Sequence, residues 1–142
     1  MAQHSSTPYP LVIVGSGPAG VSAARAYVDT NIVGTLNMLE AVRDLGVRRF
    51  VQTSTSEVYG KNTAIGLRED DDRVMGSPLL SRWSYAEAKA IDETLVQQYH
   101  LHHGVPSVIV RLFNTTGPRQ AGRYGMVVPR FVRQALTGEP LT

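Results

Sequence analysis

Leu11-Val12-Ile13-Val14-Gly15-Ser16-Gly17-Pro18-Ala19-Gly20 decides the fold class. An unbroken apolar run of this kind suits a strand buried on both faces, as in a parallel sheet. A glycine-rich turn follows directly, and strand, glycine turn, helix is the context that G-x-G-x-x-G requires. The glycines let a pyrophosphate approach the backbone, and the helix N-terminus attracts its charge. Gly15, Gly17 and Gly20 are therefore the expected dinucleotide contacts; the plainer reading is a tight strand-to-helix turn with no ligand.

Outward from that turn, two more stretches read as strands: Arg49 to Thr53 and Ser107 to Leu112. With Leu11 to Val14 they predict a small three-layer, Rossmann-like α/β unit of about three parallel strands, joined by right-handed crossovers. From Val21 to Leu45 the apolar positions Ile32, Leu36, Leu39 and Val42 recur at helical spacing. That stretch reads as one interrupted helix or two in series, with Asp29 or Thr30 as a cap and Gly46 as the stop. Trp83 to His103 is the second long helix, rich in alanine, and Pro129 to Leu136 a short one. Lys61 to Arg82 is a long polar loop. Its acidic run Glu69-Asp70-Asp71-Asp72 reads as a solvated face, and His100, His102 and His103 as complements to a helix dipole, so no metal site is expected.

The totals narrow the function classes. The chain has 142 residues, 42% hydrophobic and 18% charged, enough for one packed domain. A net charge of +2 is too balanced to point to nucleic acid. The lack of cysteine removes disulfides, thiolate nucleophiles and Cys-ligated zinc, and fits a reducing, cytoplasmic location. No apolar run reaches membrane-spanning length. Residues 1–10 read as a flexible tail rather than a signal peptide, which leaves 11–142 as the domain.

The chemistry centres on Arg82-Trp83-Ser84-Tyr85-Ala86-Glu87-Ala88-Lys89. Tyr85 and Lys89 are four apart and share a helix face. A lysine cation there stabilises a phenolate and predicts a Tyr85 pKa below its usual value of about 10, suited to proton transfer at neutral pH. Taken alone, such a pair is more often an ordinary solvated face. Ahead of it, Thr53-Ser54-Thr55-Ser56 places four hydroxyls at the end of a strand. Such residues are commonly turn formers, but ligands of parallel sheets also sit beyond strand carboxyl ends.

Two resemblances follow. Gly15-Ser16-Gly17-Pro18-Ala19-Gly20 resembles the first turn of FAD-dependent oxidoreductases, which makes FAD a secondary cofactor expectation. Tyr27 to Thr35 resembles the T-N-x-x-G-T helix of extended short-chain dehydrogenases/reductases. Together with S-T-S-E-V-Y-G (54–60), S-Y-A-E-A-K (84–89) and R-L-F-N-T-T-G-P-R (111–119), residues 27–142 resemble the NAD-dependent epimerase/dehydratase family, which acts on nucleotide-diphosphate sugars. The resemblance implies bound NAD that takes a hydride from sugar C4. It implies Tyr85 as the base and Lys89 as the residue that lowers its pKa and holds the nicotinamide ribose. Thr55 would hydrogen-bond the reacting sugar hydroxyl, and Asn114 would meet the substrate near its diphosphate. Glu57 joins the catalytic set, Ser54 the cofactor contacts and Ser56 the substrate contacts. The family's dehydratases carry Asp-Glu where this chain has Ser56-Glu57, so epimerisation or decarboxylation is favoured over dehydration. A homodimer through helices 30–45 and 83–103 is also implied.

The chain departs from the pattern in three places. Glu40 has the spacing of the acid that binds the adenosine ribose, but it lies mid-helix. Gly20 and Asn31 are only 11 residues apart, where the family inserts several βα units. Members also continue past the equivalent of Thr142, into the part that encloses the sugar. The expectation is an epimerase-like segment, 27–142, joined near Ala26 to an oxidoreductase-like start, 11–26. A natural fragment, a gene-model error and an artificial chimera all fit that join. The alternative function is a catalytically silent Rossmann-like unit that serves at most for binding or dimerisation.

Overall fold

In a computed structural model of the chain, the described residues are the backbone of 12–14 and residues 27–80, 82–120 and 126–141. The glycine loop at Gly15, Gly17 and Gly20 lies outside them.

Three strands form one parallel sheet in the order β1 (Val12–Val14), β2 (Phe50–Thr55), β3 (Ser107–Leu112). Val12 pairs with Phe50, Phe50 with Ser107 and Thr55 with Leu112. These are the strands read from the sequence, with β2 running two residues further.

The first helical stretch is one interrupted helix. A wide π-helical turn, Val28–Val33, leads directly into α1, Gly34–Leu45. The cap expected from Asp29 or Thr30 does not form. The flanking residues Tyr27 and Val33 are themselves helical, and neither start has a side-chain cap, because the chain enters α1 without leaving helical backbone. Gly46 ends α1 as expected. Its φ of 59° is the left-handed conformation glycine adopts without strain, and its N–H reaches the Val42 and Arg43 carbonyls. α2 spans Trp83–His103 and α3 Val127–Thr137.

Along β2, Phe50, Gln52 and Ser54 are buried and alternate with partly exposed Val51, Thr53 and Thr55. The buried set faces α1 and α2, which lie side by side on that face. Leu39 and Val42 from α1, Val96 from α2 and Phe50 form the main core with Val47 and Val105. On the opposite face Val108, Val110 and Leu112 are 39%, 38% and 48% exposed. Of the three layers anticipated, the described residues therefore supply the sheet and this one helical layer. The long loop after β2 is tied down at its start, where Lys61 N–H donates to the Val74 carbonyl at 2.6 Å. No helix among the described residues is long and apolar enough to cross a membrane.

Candidate active site

β2 ends in a shaped turn. Thr55 is still extended, and its Oγ1 accepts from the Glu57 N–H at 3.3 Å, which caps a short 3-10 turn, Ser56–Tyr59. Val58 and Tyr59 go into a small core with Ala90, and Glu57 is left exposed. Ser56 is partly exposed at the first position of the turn. The Arg111 guanidinium lies 4.7 Å from the Tyr59 ring centre and pins the turn from the β3 side.

The first turn of α2 meets this end of the sheet. Trp83 is buried beneath the Arg82 guanidinium, 4.6 Å from its ring centre. Tyr85 follows, half-buried, with its ring 6.0 Å from that of Tyr27. Glu57 is close enough for its charge to act on the phenol. Burial, then the charges of Glu57 and Asp92, then Tyr27, all push the Tyr85 pKa above its ordinary value. The expected lowering is thus overturned, and the reason is where Lys89 goes. Its ammonium is 2.8 Å from Asp92 Oδ2, with side-chain exposures of 1% and 0%. The cation that was to stabilise a Tyr85 phenolate faces a buried carboxylate instead.

Asp92 itself is raised above the ordinary carboxylate range by burial, an effect opposed by its bonds to Lys89 and Thr35. Gln52 Nε2 lies 3.5 Å from the same Oδ2. Ser54, expected at the cofactor, has its side chain on the helix-facing side of β2, where its hydroxyl donates to Glu93 Oε1 at 2.5 Å. The two-residue repeat of the strand decides this: Ser54 shares a face with Phe50 and Gln52. Glu93 in turn binds Arg111.

The remaining sequence candidates are more dispersed. Asn114 is exposed in the loop after β3, and Glu40 is exposed on α1. The histidines have local partners: His100 Nδ1 is 2.9 Å from the Val105 carbonyl, and His102 Nε2 is 3.1 Å from Gln98 Oε1. Among the described residues no cluster of three or more His, Asp or Glu could hold a metal ion. Sequence reasoning missed Tyr27, Gln52, Asp92, Glu93 and the role of Arg111. One signal was present. Lys89 and Glu93 repeat at the spacing of the apolar positions Ala86 and Val96, so charged residues had to enter the buried face of α2.

The residues present fit the nicotinamide-ribose end of a dinucleotide. Tyr85 and Lys89 carry a hydroxyl and an ammonium, the donor types a ribose diol takes, with the ammonium held by Asp92. Polar capacity is also left over beneath them, because Gln52 Oε1 and Asp92 Oδ1 are buried without a hydrogen-bond partner. For the adenosine end, Glu40 points to solvent and the glycine loop lies outside the described residues.

Comparison with known proteins places these features. Residues 2–142 match the family model of the NAD dependent epimerase/dehydratase family. The UDP-N-acetyl-alpha-D-glucosaminuronate decarboxylase of Bacillus cytotoxicus is 48% identical over 115 residues, covering 80% of this chain and 35% of that protein. The UDP-glucuronic acid decarboxylase 5 of Arabidopsis thaliana is 43% identical over 117 residues, covering 81% and 33%. Among solved structures, the UDP-glucuronic acid 4-epimerase of Bacillus cereus in complex with NAD superposes with a TM-score of 0.72 at 33% identity, over 87% of this chain and 38% of that one. The UDP-N-acetylglucosamine 4-epimerase of Methanobrevibacter ruminantium, in complex with UDP-N-acetylmuramic acid, gives 0.76 at 29% identity, over 92% and 42%. The chain spans about a third of the length of these curated relatives. With its parallel sheet, its T-S-E turn and its Tyr85–Lys89 helix, the chain belongs to the NAD-dependent epimerase/dehydratase family.

Proposed function

We propose that this chain forms the part of an NAD-dependent nucleotide-sugar epimerase or decarboxylase that holds the nicotinamide end of the cofactor and moves the proton at sugar C4. The observation that carries this reading is the junction of the Thr55–Glu57 turn with the first turn of α2, where Glu57 and Tyr27 act directly on Tyr85. Bound NAD supplies a hydride acceptor at the nicotinamide ring. Once ionised beside the Lys89 ammonium, Tyr85 would accept the proton of the sugar hydroxyl, and Lys89 would donate to the cofactor ribose. Thr55 and Ser56 meet the sugar, and Asn114 its diphosphate. Ser56 has no acidic proton to give a leaving hydroxyl, which supports epimerisation or decarboxylation over dehydration.

The partner is a nucleotide-diphosphate sugar. Val33 and Ile91, both 44% exposed, support pairing of two copies through helices 30–45 and 83–103. The cysteine-free composition supports a reducing location such as the cytoplasm.

Calorimetric titration of the chain with NAD, then with UDP-glucuronic acid, tests the reading. NAD should release heat, and Lys89→Met should weaken its binding by about tenfold, the loss of one charge-assisted hydrogen bond. No heat from NAD at millimolar concentration overturns the reading. It would favour a unit that only binds or dimerises, for which the Lys89–Asp92 pairing is the supporting observation.

A further inference from the structure

We propose that Asp92 is a positioning residue for the Tyr85–Lys89 pair: it holds the Lys89 ammonium inside the helix–sheet interface, and a ribose at Tyr85 must draw that ammonium away from it. The inference rests on the reading of Tyr85 and Lys89 given above.

Two acceptors compete for one cation on one helix. Tyr85 lies four residues before Lys89 and Asp92 three residues after it, so both are within reach. The 2.8 Å contact shows that Asp92 holds the ammonium. The neighbouring carboxylate on the same helix is already engaged. Glu93 is taken by Arg111 and Ser54. Gln52 from β2 and Thr35 from α1 are neutral, and both face the Asp92 carboxylate. The pair lies out of solvent, so salt screens it little, and an uncompensated buried carboxylate is costly.

The consequence falls on Tyr85. Glu57 from the 3-10 turn, Asp92 from its own helix and Tyr27 from the π-helical turn each disfavour a phenolate at Tyr85. While Asp92 holds Lys89, Tyr85 stays a phenol. When the ammonium moves to a ribose, Asp92 loses its counter-ion, and burial favours uptake of a proton from solvent by its carboxylate. Gln52 and Thr35 remain as neutral partners for the acid. Ligand binding is thereby coupled to one proton entering the interface, and Lys89 becomes available to Tyr85 at that moment.

The test is ultraviolet titration of the phenolate band in the full 142-residue chain without cofactor, read as a difference against Tyr85→Phe. Asp92→Asn should move the Tyr85 midpoint to lower pH, because Lys89 is freed and one negative charge is removed. Adding Lys89→Met to Asp92→Asn should reverse that movement, since the freed ammonium is its main source. The double variant should not titrate above wild type. The inference is overturned if Asp92→Asn titrates as wild type, or if Asp92→Asn and the double variant titrate alike. Should Asp92→Asn fail to fold by circular dichroism, the double variant decides, because it removes both members of the buried pair. A midpoint above wild type would mean that Lys89 already serves Tyr85, and would overturn the inference. Failure of NAD to bind would count against the functional reading alone, since no cofactor enters this titration.

Discussion

Arg111, near the end of β3, grips Glu93 in the middle of α2 through two nitrogens: Nη2 lies 2.7 Å from Oε2, and Nε lies 3.0 Å from Oε1. The contact ties the last strand to the helix that carries Tyr85 and Lys89. Arg111 also donates to the Glu69 carbonyl at 3.0 Å, which fastens the long loop to the same point.

Breaking this contact from one side should cost stability. The side chains are 17% and 9% exposed, between a surface pair and a buried one. Glu93→Ala should therefore destabilise by about 2–4 kcal/mol, since it strands the guanidinium and the Ser54 hydroxyl together. Glu93→Leu combined with Arg111→Met should cost less than the sum of the two single changes. Urea unfolding of the four proteins measures this. Strict additivity would show that the two residues do not act as a pair.

Gly76 has no room for a side chain. A Cβ there would collide with the indole of Trp83, which is 8% exposed and is the chain's single tryptophan. Gly76→Ala should force the indole outward at a cost of about 1–3 kcal/mol, the usual range for overpacking. Tryptophan emission should shift to the red. Unchanged emission and an unchanged unfolding midpoint would mean that the loop does not pack on Trp83.

Tyr85 makes stability depend on pH at the alkaline end. Burial lifts its folded pKa above the ordinary tyrosine value of about 10. A raised value means that the folded chain binds this proton more tightly than the unfolded chain. The stabilisation is fully present below the unfolded value of about 10 and is lost as pH rises through the folded one. Thermal unfolding between pH 8 and pH 11 should therefore show a loss of stability at the top of the range that is smaller in Tyr85→Phe. Parallel pH profiles would contradict the assignment.

Ile91 is 44% exposed on α2 and tests the helical dimer face. Ile91→Lys should shift sedimentation toward monomer at concentrations where the parent chain self-associates. Persistence of the larger species would move the contact elsewhere, with the open sheet face at Val108, Val110 and Leu112 next in line.

The sequence by itself determined the class of fold. Apolar runs marked the three strands, alanine-rich helix formers marked α2 from Trp83 to His103, and Gly46 marked where a helix had to stop. These are local properties, set by side-chain spacing and backbone freedom within a few residues. The same holds for Tyr85 and Lys89, one turn apart on a shared face. Only the tertiary structure decided which group receives the Lys89 charge. Tyr85 and Asp92 both lie within about one helical turn of Lys89, and spacing does not rank them. Packing of β2 and α1 over the middle of α2 removes water from Asp92, and a buried carboxylate requires a counter-ion more than a half-exposed phenol does. Ser54 and Glu93 follow the same logic. Each became structural once β2, β3 and α2 came together, a juxtaposition of residues some 40 positions apart that no local pattern encodes.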